Sequence, residues 1–171
     1  DEAAGIAATL QPLQAWREAG AQLLVVDGGS HDGTPDLATP FADRVLLAPR
    51  GRGAQMNAGA NAATGRLLLF LHADTRLPPE GPPAIASLLA GRSACWGRFD
   101  VRFDGTHPLL PLVAALMNFR SAITGIATGD QAMFVTRDLF DRVGGFEDIP
   151  LMEDIRLSRA LRALAWPRRE S

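Results

Sequence analysis

The chain has 171 residues, 47% apolar and 21% charged, the size and composition of one globular domain with an ordinary core. A formal net charge of -2, with basic residues scattered along the sequence, leaves no electrostatic footprint for nucleic acid, and that class of partner is set aside. The single cysteine, Cys95, excludes an internal disulfide framework; it reads as a small buried thiol and fits a reducing, cytoplasmic setting. No run approaches the ~20 apolar residues that a membrane helix needs: residues 67–71 are too few, and residues 109–117 are interrupted by Pro111. The sequence opens on Asp1 and Glu2 with neither an initiator Met nor a basic, apolar leader, so no signal peptide is visible.

Ile6, Leu10, Leu13 and Trp16 recur at helical spacing and Gly20 closes the pattern, which predicts one first helix. An apolar strand follows at residues 22–26, then a short helix at 36–41, a strand at 44–47, and a Gly-rich segment at 49–53 that opens a helix through 57–63. Residues 67–71 read as a buried strand and 83–89 as a helix. Residues 95–103 alternate as a long strand, with Trp96, Phe99 and Phe103 as its bulky contacts. Beyond Thr106 the order changes to a helix at 109–123, a strand at 132–135, a helix at 137–143 and a last helix from Glu153. Strands alternating with helices predict an α/β domain with a mostly parallel central sheet, whose ligands gather at the carboxyl ends of the strands.

Four segments carry residues suited to chemistry. Asp27-Gly28-Gly29-Ser30-His31-Asp32-Gly33-Thr34 follows a strand. Its glycines allow close backbone approach, and a carboxylate at that end can accept from a base N–H or a ribose hydroxyl; a surface turn with Asp32 as an N-cap is the plainer reading. Arg50 to Gly59 is a basic, Gly-rich helix start whose N–H groups and Arg52 guanidinium suit a diphosphate, though solvated Arg50 and Arg52 are as natural. His72-Ala73-Asp74-Thr75 sits beyond another strand, where a carboxylate can hold a divalent cation that bridges diphosphate oxygens. His72 is either a ligand or a hydrogen-bonding partner. Glu153-Asp154 heads the last helix, where a carboxylate can take a proton from an attacking hydroxyl or simply complement the helix dipole.

Taken together, Gly129-Asp130-Gln131, the Gly144-Gly145-Phe146 turn, Glu153-Asp154 and the following helix with Leu157 and Arg159 resemble the C-terminal signature of family 2 glycosyltransferases of the GT-A fold. The segment from Asp27 is similar to that family's D-x-x-S-x-D-G-T element, Asn57 and Gly59 match its Arg-Asn-x-Gly element with Met56 in place of Arg, and Asp74 takes the last position of D-x-D with His72 first. The forms HADT, GDQ and PLMED resemble a bacterial subgroup, the radical-SAM/selenodomain-associated transferases.

The resemblance implies a metal-dependent, inverting transfer of a sugar from a nucleotide diphosphate donor to an acceptor hydroxyl, with Mn²⁺ or Mg²⁺ as cofactor. It implies Asp154 as base helped by Glu153, and Asp27, Gly28, Ser30, Arg52, Asn57 and Asp74 around the donor nucleotide. It further implies Gly129, Asp130, Gln131 and Arg159 at the sugar and acceptor, and Asp74 with His72 at the metal. In relatives an apolar first strand and an Asn-Glu loop precede the first helix, so a single domain spanning residues 1–171, without that strand and without the C-terminal extension, is expected.

Two rivals stand beside this reading. A nucleotidyltransferase shares the α/β layout and an acid-bound metal, and a non-catalytic sugar-nucleotide-binding or scaffold domain would tolerate His72 and Met56. The apolar stretch 108–126 suits core packing, a cover for the acceptor cleft, a homodimer face, or contact with a lipid-linked acceptor at the inner face of the membrane.

Overall fold

A computed structural model describes residues 1–77, 81, 83, 85, 87 and 94–170. The expected single first helix is two short ones, α1 (Ile6–Leu10) and α2 (Gln14–Glu18), because Pro12 between them has no N–H for a helical ladder. Ile6, Leu10, Leu13 and Trp16 are nonetheless all buried. There follow β1 (Leu24–Asp27), α3 (Thr34–Ala38) running into a 3-10 turn at Thr39–Phe41, β2 (Arg44–Leu47), α4 (Arg52–Ala62) and β3 (Leu67–Leu69). Positions 83, 85 and 87 are helical, and the rest of the helix expected at 83–89 lies outside the described residues. Next come β4 (Trp96–Phe99), α5 (Leu110–Thr124), a 3-10 turn at Gly129–Gln131, β5 (Met133–Thr136), α6 (Arg137–Val143), α7 (Glu153–Leu164) and an unforeseen β6 (Arg168–Glu170).

The described strands form two pieces of sheet, β1-β2 and β3-β5-β4-β6. Pairing is parallel in β1-β2 and β4-β6 but antiparallel where β5 meets β3 and β4. The sheet is therefore mixed where alternation predicted mostly parallel pairing: β5, buried along its whole length, enters between β3 and β4 in the opposite direction. The long strand expected at 95–103 ends at Phe99: the Asp100 N–H still donates to the Glu170 carbonyl of β6 at 2.7 Å, but the Val101 N–H and carbonyl are taken by the Asn118 side chain at 2.9 and 3.0 Å. Phe103 is consequently exposed and makes no core contact of the kind expected. The sides of β1 and β3 that carry no described partner both line one cavity of about 520 Å³.

Two apolar clusters hold the layers. One joins Trp96, Met133 and Val135 of the sheet to Leu139, Phe140, Phe146, Leu157 and Leu161; the other joins α1 and α2 to Phe99, Phe134 and Leu77.

Helix α4 is fixed at several points. Arg137 donates to the carbonyls of Ala60, Ala63 and Gly65 at 2.8–3.2 Å, closing the helix C-terminus with a cation. Gly59 lies close enough to β1 that a Cβ would stand 3.1 Å from Val26 Cγ2. Asn57 Nδ2 donates to the Phe146 carbonyl at 2.8 Å, and its Oδ1 accepts the Phe146 N–H at 2.9 Å. Replacing Asn57 with Ala strands both backbone groups of a buried residue, and urea unfolding should register a loss of about 2 kcal/mol.

Candidate active site

Asp27 ends β1 and is buried, its Oδ2 accepting the N–H groups of Gly29 at 2.7 Å and Ser30 at 2.8 Å. Burial works to raise its pKa, but the Ser30 hydroxyl and the two backbone N–H groups outweigh it and hold the carboxyl below the usual range. Beneath this loop Gln55 donates to the Val26 carbonyl at 2.9 Å, and a Cβ on Gly28 would lie 3.0 Å from Gln55 Oε1. Sequence reasoning passed over Gln55. Its signal is the spacing Arg52, Gln55, Gly59 on one helical face, and all three line the cavity. Asp32 accepts from the Thr34 hydroxyl, which with the N–H groups of Ala3 and Thr34 holds it at about 2. It ties the loop to the N-terminal segment.

Asp74 is exposed and accepts the Thr75 hydroxyl at 3.4 Å, and the turn is braced by the Thr9 hydroxyl on the Ala73 carbonyl at 2.6 Å. Among the described residues no group of three or more His, Cys, Asp or Glu forms a cage. One open carboxylate instead fits an ion held jointly with substrate phosphates, the mode typical of Mg²⁺ sites. The His72 ring lies on Gly129, where a Cβ would stand 2.1 Å from its Cε1, and among the described residues its buried Nε2 has no hydrogen-bond partner.

Gly129 donates its N–H to Asp154 Oδ2 at 2.7 Å, and Oδ1 accepts the Ile155 N–H at 2.7 Å. Each oxygen keeps further lone-pair capacity for an incoming proton. A small pocket here is lined by Met56, Phe70, His72, Gly129, Phe146 and Asp154 among others. Met56, Phe70 and His72 also line the large cavity that holds Asp27, Arg52 and Asp74, so the two spaces share a wall. Just before Glu153, Met152 adopts φ 68°, a costly conformation for a residue with a Cβ.

Four expected site residues are placed differently. The Asn57 amide is taken up by Phe146. Gln131 is fully buried, accepting the Thr128 N–H at 3.2 Å and donating to Asn118 Oδ1 at 3.3 Å, so it shapes the turn instead of facing a sugar. Glu153 is buried and lines neither space, with one carboxylate oxygen unpartnered. Arg159 is exposed and lines neither space: five residues at about 100° each set it about 140° around α7 from Asp154. Asp130 is exposed beside Gly129.

Gly129→Ala should displace the His72 ring or the Asp154 anchor, and a thermal scan should show a clear loss of stability. Asp27 has a folded pKa below that of the unfolded chain, so it contributes stability above about pH 3.9 that is lost as pH falls through the lowered value. Melting temperature measured from about pH 5 down to about pH 2 should therefore fall less steeply in Asp27→Asn than in the parent.

The Glycosyl transferase family 2 profile matches residues 1–142. No curated relative matches the sequence. Among solved structures, the chain aligns over 100% of its length with 51% of a mannosyltransferase from Pyrobaculum calidifontis in complex with GDP-Man and Mn²⁺, at 21% identity and TM-score 0.71. It aligns over 94% with 52% of a S. aureus TarS fragment, at 16% identity and TM-score 0.69. It aligns over 82% with 54% of glucosyl-3-phosphoglycerate synthase from Mycobacterium tuberculosis in complex with Mn²⁺ and UDP-glucose, at 22% identity and TM-score 0.60. The chain thus spans about half the length of these structures and shares their GT-A fold. With the family profile covering most of its length, the chain belongs to glycosyltransferase family 2.

Proposed function

We propose that this domain transfers a sugar from a nucleotide diphosphate donor to an acceptor hydroxyl with inversion, using Mn²⁺ or Mg²⁺. The observation that carries the reading is the wall of Met56, Phe70 and His72 shared by the cavity of Asp27, Arg52 and Asp74 and the pocket of Asp154. A donor seated in the first space would present its anomeric carbon toward the second. The Mn²⁺ and nucleotide sugars bound by two of the similar structures support the same donor chemistry. HADT, GDQ and PLMED support a place in the bacterial radical-SAM-associated subgroup, and a cytoplasmic setting, at the inner face of the membrane for a lipid-linked acceptor, fits the buried Cys95.

In this mechanism Asp27 and the Gly28-Gly29-Ser30 backbone hold the nucleoside. The Arg52 guanidinium and the start of α4 would meet the diphosphate, and Asp74 would hold the divalent ion. When bound, that ion would supply positive charge to offset the charge that develops on the leaving diphosphate. Asp154 accepts the acceptor proton as the hydroxyl oxygen bonds to the anomeric carbon. The bond from that carbon to the diphosphate oxygen breaks with its electron pair leaving on the nucleotide, and configuration inverts. Gly129 orients the base through its N–H.

A second reading, a non-catalytic sugar-nucleotide binder, is favoured by one observation: both Asp154 oxygens already accept backbone N–H groups. Asp154→Asn separates the two. Transfer should fall by about 10²–10⁴ in a nucleotide-release assay with an acceptor panel, while donor affinity by calorimetry stays within a factor of about three. A binder shows no turnover to lose.

A further inference from the structure

Helix α5 faces the protein with the wrong side for an ordinary surface helix. Its buried positions are Ala114 and Ser121, and Asn118 beside them is spent on polar bonds to the Val101 backbone at 2.9 and 3.0 Å. Its bulky apolar residues point out: Leu112, Leu116, Phe119 and Ile123, at 56–63% exposure, follow one another at helical spacing. Trp166, 59% exposed, extends this stripe: a Cβ on Gly125 at the helix end would lie 3.3 Å from its ring. None of these residues lines the cleft.

The surroundings are basic. The sequence holds no acid between Asp104 and Asp130, and none between Asp154 and Glu170, an interval that carries five arginines. The whole-chain charge of -2 conceals this asymmetry. Arg162 donates to the Thr124 carbonyl at the end of α5, Arg120 stands exposed on the helix, and exposed Arg102 follows Val101. Of the acids near this face, Asp100 pairs with Arg98 and Arg169 and exposed Asp104 with Arg76 at 3.6 Å, while Asp130 in the adjoining turn is exposed and has no ion pair among the described residues. Two copies meeting through this face would set arginine against arginine, whereas an anionic bilayer satisfies both the stripe and the charge.

We propose that this face, the outer side of α5 with Trp166, Arg120 and Arg162, docks on the surface of an anionic phospholipid bilayer. Docking is independent of turnover. Only its consequence rests on the glycosyltransferase reading: the Asn118–Gln131 bond ties α5 to the Gly129–Gln131 turn, so docking would bring the acceptor side of the site to the bilayer.

The test is co-sedimentation with phosphatidylcholine vesicles, with and without phosphatidylglycerol, at low and high salt. Parent, Leu116→Gln/Phe119→Gln and Arg120→Gln chains are compared, each checked for folding by circular dichroism. The parent should bind anionic vesicles at least about tenfold better than neutral ones, losing that advantage in high salt. The double variant should lose about tenfold and Arg120→Gln a few-fold. Tryptophan emission should shift to the blue on anionic vesicles and lose that shift in Trp166→Phe, because Trp16 and Trp96 are already buried. Failure of the folded parent to bind either vesicle, equal binding to both, or a dimer in light scattering that the double variant abolishes would each overturn the proposal.

Discussion

The bond from the Gly129 N–H to Asp154 Oδ2 joins segments that lie 25 residues apart in the sequence, and the small pocket that both residues line depends on it. Glycine is required at 129 because the His72 ring lies where a Cβ would be. Three chain segments, ending β3, preceding β5 and opening α7, thereby meet at one corner. A second clamp holds the same junction: the Ser158 hydroxyl exchanges 3.1 Å bonds with the N–H and carbonyl of Ala127. Gln131 braces the turn from within through Thr128 and Asn118. With the turn and α7 locked together, Asp154 has a fixed place relative to the shared wall, and general-base chemistry needs that fixed geometry before any tuning of basicity.

The wall of the large cavity is organised around α4, held at its C-terminus by Arg137 and along its length by the contacts of Gly59 and Asn57. Its opposite end presents Arg52 to the cavity, with no acidic residue in the first turn. The helix thus serves as a spacer between the carboxyl end of β1 and the Gly144-Gly145-Phe146 turn. Gly53 shows how closely it docks there, since a Cβ would lie 2.5 Å from the Glu147 carbonyl oxygen.

The motif residues were legible in the sequence as chemistry but not always as geometry. Asp27, Arg52, Asp74, His72, Gly129 and Asp154 line the two adjoining spaces, a placement readable from carboxylates, cations and glycines at strand ends and helix starts. The Asn57 amide is held by Phe146, 89 residues away, a partner invisible to spacing, whereas Gln131 closes a Thr128–Gln131 capping box whose T-x-x-Q spacing is readable in the sequence. Arg159 lies about 140° around α7 from Asp154. On the fold side, element positions were readable from periodicity, but strand direction was not: nothing local in the Met133–Thr136 strand states that it runs antiparallel to both neighbours. The break at Pro12 is readable but outweighed by the apolar period, whereas the early end of β4 depends on Asn118, whose side chain takes both backbone groups of Val101.

The proposed function requires one cleft to combine a nucleotide seat at Asp27 and Arg52 with a metal carboxylate at Asp74. The most direct test is calorimetric titration of the chain with UDP-glucose and GDP-mannose, with and without Mn²⁺, in the parent and in Asp74→Ala. The account predicts binding of at least one donor that Mn²⁺ strengthens and that Asp74→Ala no longer couples to the metal. Donor binding by the folded parent that is unchanged by Mn²⁺ and by loss of Asp74, or no binding to either donor, would contradict it.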